Sequence, residues 1–263
     1  MPANKDLTPV YSRGWRGGLR NMLRGELDRW FGTRTWWTQA LLWVFIINGL
    51  LLAILAQDET VGIPDVTTLY GIFAGMFPSI AVVIAAQDAI VGEKEKGTAA
   101  WVLSKPVSRI AFILSKVIGY GLGVLVSLVL IPAVIAFLEF RFVGGLTIDP
   151  GKFALGIGVL WLYLCFYLLL TLMLGTFFSA RPAVIGIPLA LAFGQQLLFG
   201  ILPAAIKVMP WTIAIPIGDM DFSIISAIMA GRHPYDMTPF YVACAAMVLF
   251  IAVGLWRFQR EEL

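Results

Sequence analysis

Two glycines five residues apart, Gly92 and Gly97, put the spacing of a phosphate-binding loop into Gly92-Glu93-Lys94-Glu95-Lys96-Gly97-Thr98. In a working loop of this kind a lysine follows the second glycine and neutralises the β- and γ-phosphates, and a strand aims the backbone amides. Thr98 stands where that lysine must be, and no strand precedes Gly92, so this segment does not bind ATP. Metal chemistry is equally poorly provided for. His233 is the single histidine, and a ligand set built on imidazole needs a partner. Cys165 and Cys244 both fall inside apolar runs, where a packed thiol is the expected role rather than a disulfide or metal site. The acidic pairs Asp58/Glu59 and Asp219/Asp221 lack the basic or histidine neighbours that a lipid-processing metal site requires. No catalytic residues and no metal ligands are expected in this chain.

What surrounds the charged segment explains its isolation. Of 263 residues, 59% are hydrophobic and 13% charged, where a soluble domain carries roughly a quarter charged; mean hydropathy is +0.86. The apolar residues form six charge-free runs, Trp36–Ala56, Leu69–Gln87, Val117–Leu138, Phe153–Phe178, Ala183–Ile206 and Pro239–Trp256. A spanning helix needs about 20 such residues, so the expected fold is an all-α integral membrane protein with six transmembrane helices. The expected layout is a cytoplasmic N-terminus 1–35, a six-span domain 36–256, a cytoplasmic segment 92–116, an outer loop 204–238 and a tail 257–263. Spans are placed near 36–56, 69–91, 117–138, 153–178, 183–203 and 239–256. The first run is too long for a secretory h-region. Fifteen of the 19 Lys and Arg residues lie on one side of these spans and four on the other, Arg141, Lys152, Lys207 and Arg232. By the positive-inside rule both termini and the Gly92–Lys116 segment are cytoplasmic. The net charge of +3 implies anionic lipid headgroups as contacts rather than nucleic acid.

Two stretches outside the runs are patterned. Over Gly18–Arg34, Leu19, Met22, Leu23, Leu27, Trp30 and Phe31 recur at helical spacing against Arg20, Asn21, Arg24, Asp28 and Arg29. That is the pattern of an amphipathic helix lying in the membrane interface. In the charged segment, Gly97-Thr98 breaks a helix and Thr98 caps the next. Pro106 keeps Lys105 out of helical geometry, and Ser108 caps a helix entering the third run. A short helix Ala99–Leu103, carrying Trp101, is expected between the two bends. Beyond the fifth run, Phe222, Ile224, Ile225, Ile228 and Met229 form an apolar stripe in a compact outer segment.

The order glutamate, Gly97-Thr98, short apolar helix, Ser104-Lys105-Pro106 and Ser108-Arg109 resembles the cytoplasmic loop of permease subunits of type 2 ATP-binding-cassette exporters. It is similar in feel to the copper-maturation, sodium-extrusion and antibiotic-resistance branches, and Thr33-Arg34-Thr35-Trp36-Trp37 looks like the family's passage from connecting helix to first span. The resemblance implies a dimer, homomeric or with a related permease, of six-span subunits in a prokaryotic plasma membrane, each resting on a separate ABC ATPase that binds ATP and Mg. It implies that Glu93, Glu95, Gly97, Thr98, Trp101, Leu103, Pro106 and Arg109 form the ATPase-docking coupling helix. The connecting helix would carry Leu23, Leu27, Trp30 and Phe31. The permease itself would do no covalent chemistry and bind no cofactor.

Inside the spans no charge sits at mid-depth, which disfavours an ion-coupled transporter. Asn48, Gln195 and Gln196 are the polar candidates for a cargo cavity, if two subunits pack through the first and fifth spans as the resemblance implies. Bonding to neighbouring helices is the competing role. The cargo expected is amphipathic, hydrophobic or lipid-like. Gly71-x-x-x-Gly75 and Gly119-x-x-x-Gly123 allow close helix approach. Two other functions remain as alternatives: a membrane lipid-modifying enzyme, and a non-transporting scaffold or sensor that binds an ATPase.

Overall fold

A computed structural model describes residues 14–57, 61–105, 107–194, 201, 204 and 208–261. Among them every regular element is helical. In chain order these are α1 (Leu19–Phe31), α2 (Thr35–Gln57), α3 (Ile63–Glu95), α4 (Thr98–Leu103), α5 (Arg109–Phe142), α6 (Pro150–Phe177), α7 (Arg181–Phe193), α8 (Trp211–Ala214), α9 (Ile224–Met229) and α10 (Thr238–Gln259).

Five helices, α2, α3, α5, α6 and α10, are long and apolar enough to cross a membrane. The fifth apolar run supplies the 13-residue α7, and residues 195–200 lie outside the described part. The spanning helices overrun their apolar cores. α3 starts at Ile63 and ends at Glu95, and α5 already begins at Arg109. The charged residues Glu93, Lys94 and Glu95 therefore belong to a helix end and not to a loop, which narrows the non-spanning segment from 92–116 to the stretch between Glu95 and Arg109. Pro78 and Pro188 sit inside α3 and α7 without ending them.

α6 is the central post. Leu160, Tyr163, Leu164, Tyr167, Leu168 and Thr171 are all buried, and it packs against α3, α10, α9 and α5. The segment carrying α8 and α9 is wedged between α3 and α6 rather than laid over them. Ser223 and Ser226 cap α9 reciprocally at 3.1 and 2.9 Å, while Ile224, Ile225 and Met229 are buried. Small residues open this wedge. A Cβ on Gly75 would come within 2.5 Å of the Ala214 Cβ, and Gly71 faces the Ala214 carbonyl.

The second pair of spaced glycines receives α1. A Cβ on Gly119 would press the Glu26 side chain at 2.7 Å, and one on Gly123 would overlap the Trp30 indole. The apolar stripe of α1 thus faces α5: Trp30 is buried, with Leu23, Leu27 and Phe31 half-buried. Overpacking costs about 1–3 kcal/mol. Gly123→Val should accordingly lower the melting temperature in detergent, whereas Gly158→Ala, at a position with open space around the would-be Cβ, should leave it within a degree or two. Equal melting of the two variants would show that α1 does not seat on α5.

Two spans contain π turns, Val44–Asn48 in α2 and Leu125–Leu130 in α5. The two helices pack together at this level. The Trp30 indole N–H donates to Ser127 Oγ at 3.2 Å, and Asn48 Nδ2 donates to the Pro132 carbonyl at 3.0 Å.

Candidate functional site: an ion-paired frame carrying an exposed helix

At the end of the bundle where α1, α4 and the last residues of α10 meet, charges scattered along the chain converge. The Lys116 ammonium is fully buried and lies 2.8 Å from Glu26 and 2.6 Å from Glu93. Arg29 closes the group, at 3.5 Å from Glu26 and 3.3 Å from Glu93. Burial would lower the pKa of the Arg29 guanidinium, but the two carboxylates outweigh it and the net direction is upward. The quartet carries two positive and two negative charges, the arrangement that a buried cation requires. It joins α1, α3 and α5.

A second cluster ties α3 to α7. Arg181 reaches Asp88 at 3.0 Å and Glu95 at 2.8 Å, with Lys96 3.7 Å from Asp88. A third ties α3 and α5 to the end of the chain. Lys94 pairs with Glu261 at 2.8 Å and donates to the Thr176 carbonyl at 3.2 Å. Arg109 lies 2.5–3.1 Å from the carbonyls of Phe258, Gln259 and Glu261, so a cation covers the carbonyl end of α10. Phe258 stacks on Phe112 at 5.2 Å beneath it.

This frame holds α4. Gly97, at φ 65°, turns the chain out of α3 and is itself the N-cap of α4. Thr98 therefore begins the helix instead of capping it, and its hydroxyl donates to the Glu93 carbonyl at 3.2 Å. Ala99 is buried and Leu103 half-buried. The far bend is fixed by Ser108, which accepts from Ala111 N at 2.9 Å and donates to the Trp15 carbonyl at 2.5 Å. Pro106 lies outside the described residues. Between these anchors Trp101 stands 62% exposed, with the Lys105 ammonium 3.4 Å above its ring. Behind it a hollow of about 520 Å³ is lined by Arg29, Asp88, Glu93, Lys96, Thr98, Trp101, Val102 and Tyr120.

The candidate residues thus separate. Glu95, Gly97, Thr98 and Trp101 present themselves outward. Glu93 does not: its side chain is 12% exposed and engaged by Lys116 and Arg29, which ties it into the frame. Arg109 is likewise spent on the carbonyls of α10 and is not available to a partner. Asn48 is 2% exposed; it bonds to Pro132 and, at 3.3 Å, to Glu139 on α5. Within the subunit it ties two spans together. Gln195 and Gln196 lie outside the described residues. Sequence reasoning passed over Glu26 and counted Lys116 only as a topology charge. Glu26 sits amid the apolar stripe of α1, three residues after Leu23 and four before Trp30, and that position was the available signal.

No curated protein matches the chain. The family model described as ABC-2 family transporter protein matches residues 19–263, which takes in α1, the frame, α4 and all the long apolar helices. The chain belongs to the ABC-2 family of transporter permeases, the membrane component of an ABC transporter.

Proposed function

We propose that this chain is the permease subunit of an exporter, that α4 is the coupling helix seated on a separate ATPase, and that two such subunits, each with six spans, form the translocation unit. The observation that carries this reading is Trp101: a large aromatic side chain left outside on a short helix that is fixed at both ends. An unbraced loop would absorb a push; this one passes it on. Closure of two ATPases on ATP would press the α4 helices, and the frame would hand that displacement to α1, α3, α5, α7 and α10 together. The cargo that suits spans without mid-depth charge is amphipathic or lipid-like, because a bare ion there would meet no compensating group. Affinity purification of the full chain from its native membranes tests the assignment. A co-purifying subunit with a complete phosphate-binding loop supports it, and a preparation that reproducibly lacks one counts against it.

The same reading puts α4 in the cytoplasm. With single cysteines at Ser104 and Gly145, an impermeant thiol reagent applied to intact cells should label Gly145→Cys and leave Ser104→Cys unlabelled until the cells are opened. The reverse pattern would invert the orientation.

A further inference from the structure

At the end of the bundle opposite α4, the surface between α5 and α6 is grooved. Leu130, Val134 and Leu138 from α5 face Phe153, Ala154 and Ile157 from α6 across a hollow of about 280 Å³. The lining is apolar and open on one side, and Val134 is 60% exposed there. On a helix, residues three, four and seven apart share a face. Val134, Phe137 and Leu138 are therefore followed on the same helix face by Arg141, about one turn beyond the residues that line the groove. Arg141 is exposed, and among the described residues its side chain makes no ion pair or hydrogen bond. Glu139, its acidic neighbour, is engaged with Asn48 on α2 at 3.3 Å.

The height fits as well. At about 1.5 Å per residue, Arg141 stands about 36 Å along α5 from Val117, past a hydrocarbon core about 30 Å thick and inside the headgroup layer. An apolar slot at acyl-chain depth, topped by an unpaired cation at headgroup depth, has the chemistry of a site for a lipid with a negative head. We infer that an anionic phospholipid of that leaflet seats one acyl chain in this groove and places its phosphate against Arg141. The site is separate from α4 and does not depend on what the protein transports.

The test reconstitutes the full chain in phosphatidylcholine nanodiscs with a trace of phosphatidylglycerol carrying a diazirine in one acyl chain, followed by peptide mapping after illumination. Labelling should concentrate in residues 130–157. Replacing the probe with a phosphatidylcholine of the same chains should reduce it about fivefold, the weight of one headgroup-level charge, and Arg141→Gln should reduce the phosphatidylglycerol signal to the same level. Ala154→Phe, which fills the slot, should abolish labelling by both probes. If that variant does not fold, the Arg141→Gln comparison still decides. Equal labelling by the two probes, or labelling indifferent to Arg141→Gln, overturns the site. So does disulfide formation between copies carrying Val134→Cys in place of lipid labelling, since the groove would then be a subunit contact.

Discussion

Lys116→Met should be the most damaging single substitution at the frame, lowering the melting temperature sharply and depleting the protein from the membrane. The reason is what remains afterwards. Lys116 is fully buried between Glu26 and Glu93, at 2.8 and 2.6 Å. Without it two carboxylates share a largely buried site with only Arg29, which is 57% exposed and at longer range. Removing one partner of a buried ion pair costs about 3–5 kcal/mol, because the other charge stays behind uncompensated. The double variant Lys116→Met with Glu26→Gln removes one charge of each sign and leaves Glu93 with Arg29. It should recover much of the loss. Recovery separates a charge effect from a packing effect, because Lys116→Met nearly conserves volume; a single variant that melts like the parent would show that the quartet does not hold α1 in place.

Trp101→Ala should do the opposite: leave the fold alone and impair association. Exposed positions away from caps and pairs shift stability by about 0.5 kcal/mol or less, and Trp101 is 62% exposed with a cation over its ring as its one described side-chain interaction. A buried interface tryptophan truncated to alanine costs about 2 kcal/mol or more, about thirtyfold in Kd. The pair of measurements is melting of the purified chain, expected unchanged, and ATPase co-purification, expected to fall steeply. Trp256→Ala is the matched control, since Trp256 is also about half exposed but lies on α10. Full complex formation and transport by Trp101→Ala would reduce α4 to a connector whose charges only set topology.

The two experiments probe parts of the site that differed in how readable they were. α4 and its bends could be placed from the chain because glycine, serine and short apolar runs act on their immediate neighbours. Five spanning-length helices could be found because lipid demands long apolar stretches, although not their ends, since a helix continues past its apolar core wherever charged residues find partners, as Glu93 and Glu95 do. The frame was illegible for a different reason. Glu26 and Lys116 are 90 residues apart and Arg109 and Phe258 are 149 apart; neither pairing leaves a local pattern. Charge counting placed Lys116 and Arg109 in water and left Glu26 out, and the partners they find in the fold reverse that reading. The spaced glycines were visible from the start, but only the facing side chains, Trp30 and Ala214, show what each pair admits.

The π turns in α2 and α5, each packed against the α-helical part of the other span, have a kinematic meaning. Each residue advances an α-helix by about 100°, and a π turn is the widened coil produced where one extra residue has been accommodated. The portions of each span on either side of its π turn are therefore phase-shifted relative to one another, and Asn48, the last residue of one turn, holds the Pro132 carbonyl just past the other. A twist started at Trp30, which meets α5 inside its π turn at Ser127, would be carried along that span as rotation about its own axis rather than as sliding.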